Sequence, residues 1–226
     1  MTHPNDRARS PYPAREQARR ALWLLLGQPL FRATFHNWYA PRRAMLRLFG
    51  ARVAPDARLR PTVRIEQPWN LAIGSNTAVG DRVTLYCLGP VTLGDHVSIS
   101  QGAHLCAGTH DYTRADLPLL RPPIAVRDHA WVAADAFLGP GVTVGEGALV
   151  AARAVVVKDA AGWTIHAGNP ARPIKPRPIP PGVAPAEPPT GPSHPPVDRP
   201  TPRPAPATMS PPDGPGRDRG GPHERD

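Results

Sequence analysis

The run Leu105-Cys106-Ala107-Gly108-Thr109-His110-Asp111-Tyr112 holds the residues best suited to chemistry. An imidazole takes up and returns a proton near neutral pH, which is what general acid–base catalysis requires. His110 is therefore the candidate general base. Asp111 beside it is the first candidate to orient the ring and Asp116 the second, since adjacent residues rarely support one another's side chains. Three other histidines, His96, His104 and His129, fall at regular repeat positions and are expected at the surface or at corners. Cys87 and Cys106 are too few for a disulfide framework and are expected to be reduced, packed thiols.

What positions His110 is a repeat that stops just before it. Aliphatic residues fall at Val53, Leu59, Ile65; Ile73, Val79, Leu85; Leu93, Ile99, Leu105; Val126, Val132, Leu138; and Val144, Val150, Val156. Four residues after most of them stands a small one, such as Thr77, Val97, Ala103, Ala130, Ala136 or Ala154. A six-residue spacing fits neither an α-helix nor an ordinary strand and marks a parallel β-helix. Each hexapeptide is a short strand plus a corner, three make one triangular coil, and about five coils stack at strand spacing, ~4.8 Å. The phase breaks at Pro68-Trp69, Gly89-Pro90 and Gly108–Pro123 all follow the third aliphatic position of a coil. They are expected to project from one edge of the prism and build a wall beside a groove.

Composition divides the rest of the chain. Residues 1–52 hold ten Arg against two acids, residues 53–175 are nearly balanced, and 18 of the 33 prolines lie in 176–226. The basic character therefore belongs to the arm, which argues against a nucleic-acid surface on the core. The arm predicts two helices, Glu16–Leu26, stopped by Gly27 and Pro29, and Pro41–Phe49, stopped by Gly50. Its apolar residues are expected either to pack on the core or, with the arginines, to sit on an anionic membrane surface. Residues 53–160 form the β-helix with a loop at 108–123, and 161–179 form an extension in which Trp163–Ala167 leaves the prism as a last strand. The proline-rich 180–226 cannot offset its ordering entropy and is expected to be disordered. The apolar run Ala21–Leu26 is too short to span a bilayer, and the polar start predicts a cytoplasmic chain.

The loop around His110, the run Ala130-Trp131-Val132-Ala133-Ala134-Asp135-Ala136 and Ala167-Gly168-Asn169-Pro170-Ala171 together resemble the hexapeptide-repeat acetyltransferases. Pro61–Glu66, Pro68–Leu71 and Ile99–Ala103 resemble the colanic-acid or exopolysaccharide branch more specifically. The resemblance covers about 20–177. It implies an all-β, left-handed parallel β-helix, a homotrimer, and acetyl-CoA in the groove between neighbouring subunits. It implies that the Ala134 amide stabilises the oxyanion, that the Ala152 amide meets the pantetheine arm, and that Trp131 walls the acyl pocket. Lys158, Arg172 and Lys175 match cations near the cofactor phosphates, and Asn169 belongs to the same cofactor set. Glycines usual in the superfamily are missing at Val132-Ala133 and Ala151-Ala152-Arg153.

The implied reaction is O-acetylation of a sugar hydroxyl in a cell-surface or secreted glycan, with the acceptor on a lipid carrier as one form. No metal is expected. Two rivals differ in class. A trimeric metal hydratase would need imidazoles such as His104, His110 and His129 to converge, and a non-catalytic scaffold would work through its arm and tail.

Overall fold

The computed structural model of the chain describes residues 12–183. Residues 1–11 and most of the tail expected to be disordered lie outside the described residues. The repeat builds a triangular prism of short strands joined by two-residue corners. The first face stacks Arg52–Val53, Leu71–Ile73, Val91–Leu93, Ile124–Val126 and Thr143–Val144. The second stacks Arg58–Leu59, Ala78–Val79, Ser98–Ile99, Trp131–Val132 and Leu149–Val150, and the third Arg64–Ile65, Thr84–Tyr86, His104–Cys106, Phe137–Leu138 and Val155–Val156. The chain turns from first to second face at a first edge, from second to third at a second, and back to the first at a third.

Strands within the prism are parallel and in register, so aliphatic residues stand on one another. Val53 lies beside Ile73, Ile73 beside Leu93, Leu93 beside Val126 and Val126 beside Val144. All the expected inward positions are buried, none more than 7% exposed. Removing such side chains from water is the main force closing the prism, about 1.5–3 kcal/mol for each fully buried Val, Leu or Ile. Thr77 is a polar member of this core. Its hydroxyl donates to the Gly94 carbonyl (2.6 Å) and accepts the Val97 N–H (3.0 Å), so burial leaves no orphaned atom there.

A sixth coil begins after Val156. Ala160 bridges to Val144, and Thr164–Gly168 pairs in parallel with Leu149–Val150. The segment Trp163–Ala167, expected to leave the prism, thus continues its second face, because Ile165 and His166 cover rungs that would otherwise end bare. The chain leaves only at Gly168, where Asn169 and Pro170 turn it back as the antiparallel strand Ala171–Pro176.

The arm closes the opposite end. The first helix does not stop at Gly27. Ala14–Leu22 passes through a π-helical turn, Trp23–Gly27, into Gln28–Arg32. Gly27 serves packing, since a Cβ there would collide with the Trp23 ring. Trp23 is fully buried, donates its indole N–H to the Ile65 carbonyl (2.7 Å) and meets Phe31 and Phe49 edge-on. Gln28 completes the strand edge, donating to the Val63 carbonyl and accepting the Ile65 N–H, both at 3.1 Å. The second helix is Tyr39–Leu48, with Pro41 in its first turn.

Four of the arm's arginines are structural. Arg43 donates to the Ala57 carbonyl, Arg47 to that of Val53, and Arg20 pairs with Glu66 at 2.6 Å. Arg42 is fully buried, bonded to Thr34, Phe35 and His36, and burial lowers its pKa. Packing on the core accounts for Trp23, Phe31 and Leu46, whereas Leu25, Leu30, Phe35, Trp38 and Leu48 remain exposed.

Candidate active site

The three insertions share the third edge and are bonded to one another. Asn70 donates its amide to the carbonyls of Cys87 (3.1 Å) and Leu88 (2.7 Å), tying the first insertion to the second. The Gly89 N–H donates to the Ala107 carbonyl and the Ile124 N–H to that of Pro90, both at 2.8 Å, tying the second to the third. Gly89 must lack a side chain because the Arg121–Pro122 backbone returns directly over it. Cys87 is buried in this wall, where it accepts from the Gln67 N–H and donates to the Gln67 carbonyl. Burial pushes its thiol up to about 12, so it is protonated and structural.

The loop that carries His110 is a hairpin. Thr109–His110 pairs antiparallel with Leu119–Leu120, His110 opposite Leu119. The exposed His110 ring has its Nδ1 2.6 Å from the Leu117 carbonyl. A carbonyl only accepts, so Nδ1 carries the hydrogen and Nε2 of the neutral ring presents its lone pair. Leu117 stands at φ 44°, a left-handed conformation that turns this carbonyl toward the ring.

Asp111 does not hold the imidazole. It is buried, and its carboxylate accepts from the Thr113 N–H (3.0 Å) and hydroxyl (2.6 Å), so it shapes the loop. Asp116 is gripped at both oxygens by Arg114, at 2.9 and 2.7 Å, and this hydrogen bonding lowers its pKa. The two acids weighed as partners therefore fix the hairpin whose backbone orients His110. Sequence reasoning missed that carbonyl because it belongs to no side chain.

The remaining site residues lie elsewhere on the prism. Ala134 and Ala152 occupy successive corners of the second edge, joined by the Arg153 N–H donating to the Ala134 carbonyl (2.9 Å). Their own amide N–H groups have no acceptor among the described residues. Two such donors one coil apart, ~4.8 Å, suit a thioester oxygen and an amide carbonyl of an extended pantetheine arm. Trp131 stands on the adjoining second face, 42% exposed, with its indole N–H on the Ser100 hydroxyl (2.9 Å). Lys158 is exposed just after the last strand of the third face. Asn169, Arg172 and Lys175 are exposed on the terminal hairpin, where Lys175 pairs with Ile165. The chain thus groups the cofactor candidates at the second edge and the C-terminal end of the prism. His110 and Asp111 belong to the third edge, across the third face from Ala134 and Ala152, and Lys158 stands at the last corner of that same third edge.

The other histidines are divided by environment. His104 is not a plain surface residue, for it packs edge-on between Tyr86 (6.4 Å) and Phe137 (5.4 Å), and burial lowers its pKa. His96 and His129 are corner residues of the first edge. His104, His110 and His129 are thus spread over the third face, the third edge and the first edge. Among the described residues no group of three or more His, Cys, Asp or Glu forms a metal-binding arrangement within the chain.

Comparison with known proteins gives the family. No protein-family model matches the sequence. The putative colanic acid biosynthesis acetyltransferase WcaF of Escherichia coli is 39% identical over 156 residues, covering 69% of this chain and 86% of that protein. The galactoside O-acetyltransferase of Escherichia coli is 27% identical over 137 residues, covering 59% of this chain and 68% of that one. Among solved structures, the hexapeptide-repeat acetyltransferase VCA0836 of Vibrio cholerae, complexed with acetyl coenzyme A, superposes with a TM-score of 0.66 at 26% identity, over 75% of this chain and 93% of that one. The chain belongs to the hexapeptide-repeat acetyltransferases, in the branch represented by the colanic acid biosynthesis enzyme.

Proposed function

We propose that this acetyltransferase moves the acetyl group of acetyl-CoA to a sugar hydroxyl during synthesis of a cell-surface glycan, with His110 as the base. The Nε2 lone pair of His110 accepts the hydroxyl proton as the oxygen attacks the thioester carbon. The Ala134 N–H donates to the oxygen that becomes negative. When the intermediate collapses, the carbon–sulfur bond breaks and the His110 imidazolium returns the proton to the leaving sulfur, giving an acetyl ester and free CoA. The observation that carries this reading is the Leu117 carbonyl on Nδ1, which fixes the tautomer that a base requires.

The base and the oxyanion donor occupy different edges of one chain. A homotrimer in which the third edge of one copy meets the second edge of the next would bring them together. Peripheral placement at a membrane rests on the exposed Leu25, Leu30, Phe35 and Trp38 of the arm. No helix among the described residues is long and apolar enough to cross a membrane.

The test is release of CoA thiol from acetyl-CoA across a panel of hexoses, aminosugars and oligosaccharides, with mass detection of the acetyl ester. Acceptor-dependent release that disappears in His110→Ala supports the reading. Full release by that variant, or stoichiometric zinc with carbonic anhydrase activity, would overturn it.

A further inference from the structure

Beside the His110 hairpin lies a cavity of about 330 Å³, formed where the start of the first helix meets the insertions of the third edge. Arg15, Glu16 and Arg19 line it from the helix, Trp69 and Asn70 from the first insertion, and Arg121 from the strand that returns from the catalytic loop. Its volume falls at the lower end of small-molecule sites, ~300–1,000 Å³. Arg121 follows Leu120, the cross-strand partner of Thr109. At ~3.4 Å per residue along a strand, its Cα lies within roughly 10 Å of that of His110.

The charges in this cavity do not cancel. Glu16 pairs with Arg121 at 3.1 Å, and Arg121 also stacks on Tyr12. Arg20, the next residue along the helix, is paired with Glu66 and so brings no free charge. Arg15 and Arg19 have no carboxylate partner among the described residues. They are four residues apart on one helix, so they share a face and repel each other. Arg19 lies over the Trp69 ring, 4.4 Å from its centre, which anchors its guanidinium at the cavity wall. A guanidinium anchored on an aromatic ring and a second one on the same helix face, both lining one concavity, match the forked hydrogen bonding of a phosphate.

We propose that this cavity binds a phosphate or pyrophosphate ester carried by the acceptor, so that the enzyme acetylates a phosphorylated sugar in preference to a free one. The inference rests on the acetyl-transfer reading for its placement, and it names the class of the acceptor. A soluble nucleotide-linked sugar and a lipid-linked one both present this group.

The test is calorimetric titration of the full chain with inorganic pyrophosphate at saturating CoA, which keeps the cofactor's own phosphate contacts occupied. Saturable binding weakened at least tenfold in Arg15→Gln/Arg19→Gln, with acetyl-CoA affinity unchanged, is expected. Both side chains are exposed, and circular dichroism checks that the variant is folded. Equal affinity in the two proteins, or no saturable binding to the wild type, overturns the site. In turnover, a hexose 1-phosphate should exceed the free hexose in kcat/KM at least tenfold, and the double variant should erase that preference; equal use of both by the wild type overturns the inference. Uridine diphosphate and farnesyl diphosphate as titrants then separate the sources, tighter binding of the first indicating a nucleotide-linked acceptor and of the second a lipid-linked one. If acetyl transfer itself fails with every acceptor, the pyrophosphate titration still decides the cavity on its own.

Discussion

The first and third edges of the prism both carry histidines, and they differ in what is left unsatisfied. Along the first edge each coil completes the one before it. Asp95 accepts the Ser75 N–H (2.6 Å) and Asp128 accepts the Asp95 N–H (2.8 Å). The His96 and His129 rings stack at 4.9 Å and 4°, and Trp163 continues the column past Gly147. Any side chain at Gly147 would strike the Trp163 ring, and φ of +61° there also favours glycine. Arg177 closes the column by donating to the carbonyls of His129 and Gly147. The third edge instead carries a hairpin whose His110 ring leaves one nitrogen without a partner among the described residues, and the helix beside it presents Arg15 and Arg19 without a carboxylate partner. A histidine in a repeat protein becomes a candidate base when its environment orients one nitrogen and leaves the other open.

The largest effect expected from this contrast is on turnover. His110→Ala should lower kcat by roughly 10²–10⁴, the usual weight of a general base, while KM for acetyl-CoA changes little. His129→Ala should stay within a few-fold of wild type, and the reverse ranking would move the active edge to the first. Next, Ala134→Pro removes one N–H without adding bulk to the core. Pro61 already occupies the equivalent corner one face-turn from the N-terminal end, so the backbone tolerates it. Loss of an oxyanion donor should cost about 10²–10³ in kcat, and a melting temperature close to wild type would show that the fold is intact. An unchanged kcat would remove Ala134 from the mechanism.

On the sealed edge the expected change is in stability. Trp163→Ala should cost about 2 kcal/mol, less than the ~3–5 kcal/mol of a fully buried Trp, read by thermal unfolding, with kcat nearly unaffected. Stability equal to wild type would mean that the stacked column is ornamental to the fold. The smallest effect concerns the arm. Leu25→Ser/Phe35→Ser/Trp38→Ser should reduce co-sedimentation with anionic vesicles at low salt. The salt dependence should be shallow, because Arg20, Arg42, Arg43 and Arg47 already hold protein partners. Identical sedimentation by wild type and variant would leave the arm purely a cap.

The prism was legible in the sequence because one inward residue in six must be apolar wherever the chain winds, and Val53 through Val156 keep that phase. The common edge of the insertions was legible for the same reason, since each break follows a third-face residue. The first helix was misread at Gly27 and Pro29, where local stop signals yielded to packing around Trp23. His104 could not be placed from its own coil, because Tyr86 and Phe137 that cover it come from the coils on either side. Leu117 left no signature because it is its backbone carbonyl that meets the His110 ring. The Arg15–Arg19 cavity depends on how the arm docks against Trp69 and Arg121, which no periodicity encodes.

On the proposed reading, His110 of one copy works with the Ala134 amide of the next. Mixing the two inactive variants tests it directly. Co-expressed at equal amounts, His110→Ala and Ala134→Pro copies should assemble into shared trimers in which about a quarter of the interfaces pair an intact His110 with an intact Ala134 amide. Turnover is then predicted to recover to roughly a quarter of wild type, while each variant alone stays near background. Mixed trimers that remain as inactive as their parents would show that both groups act within one copy, contradicting the shared-site account.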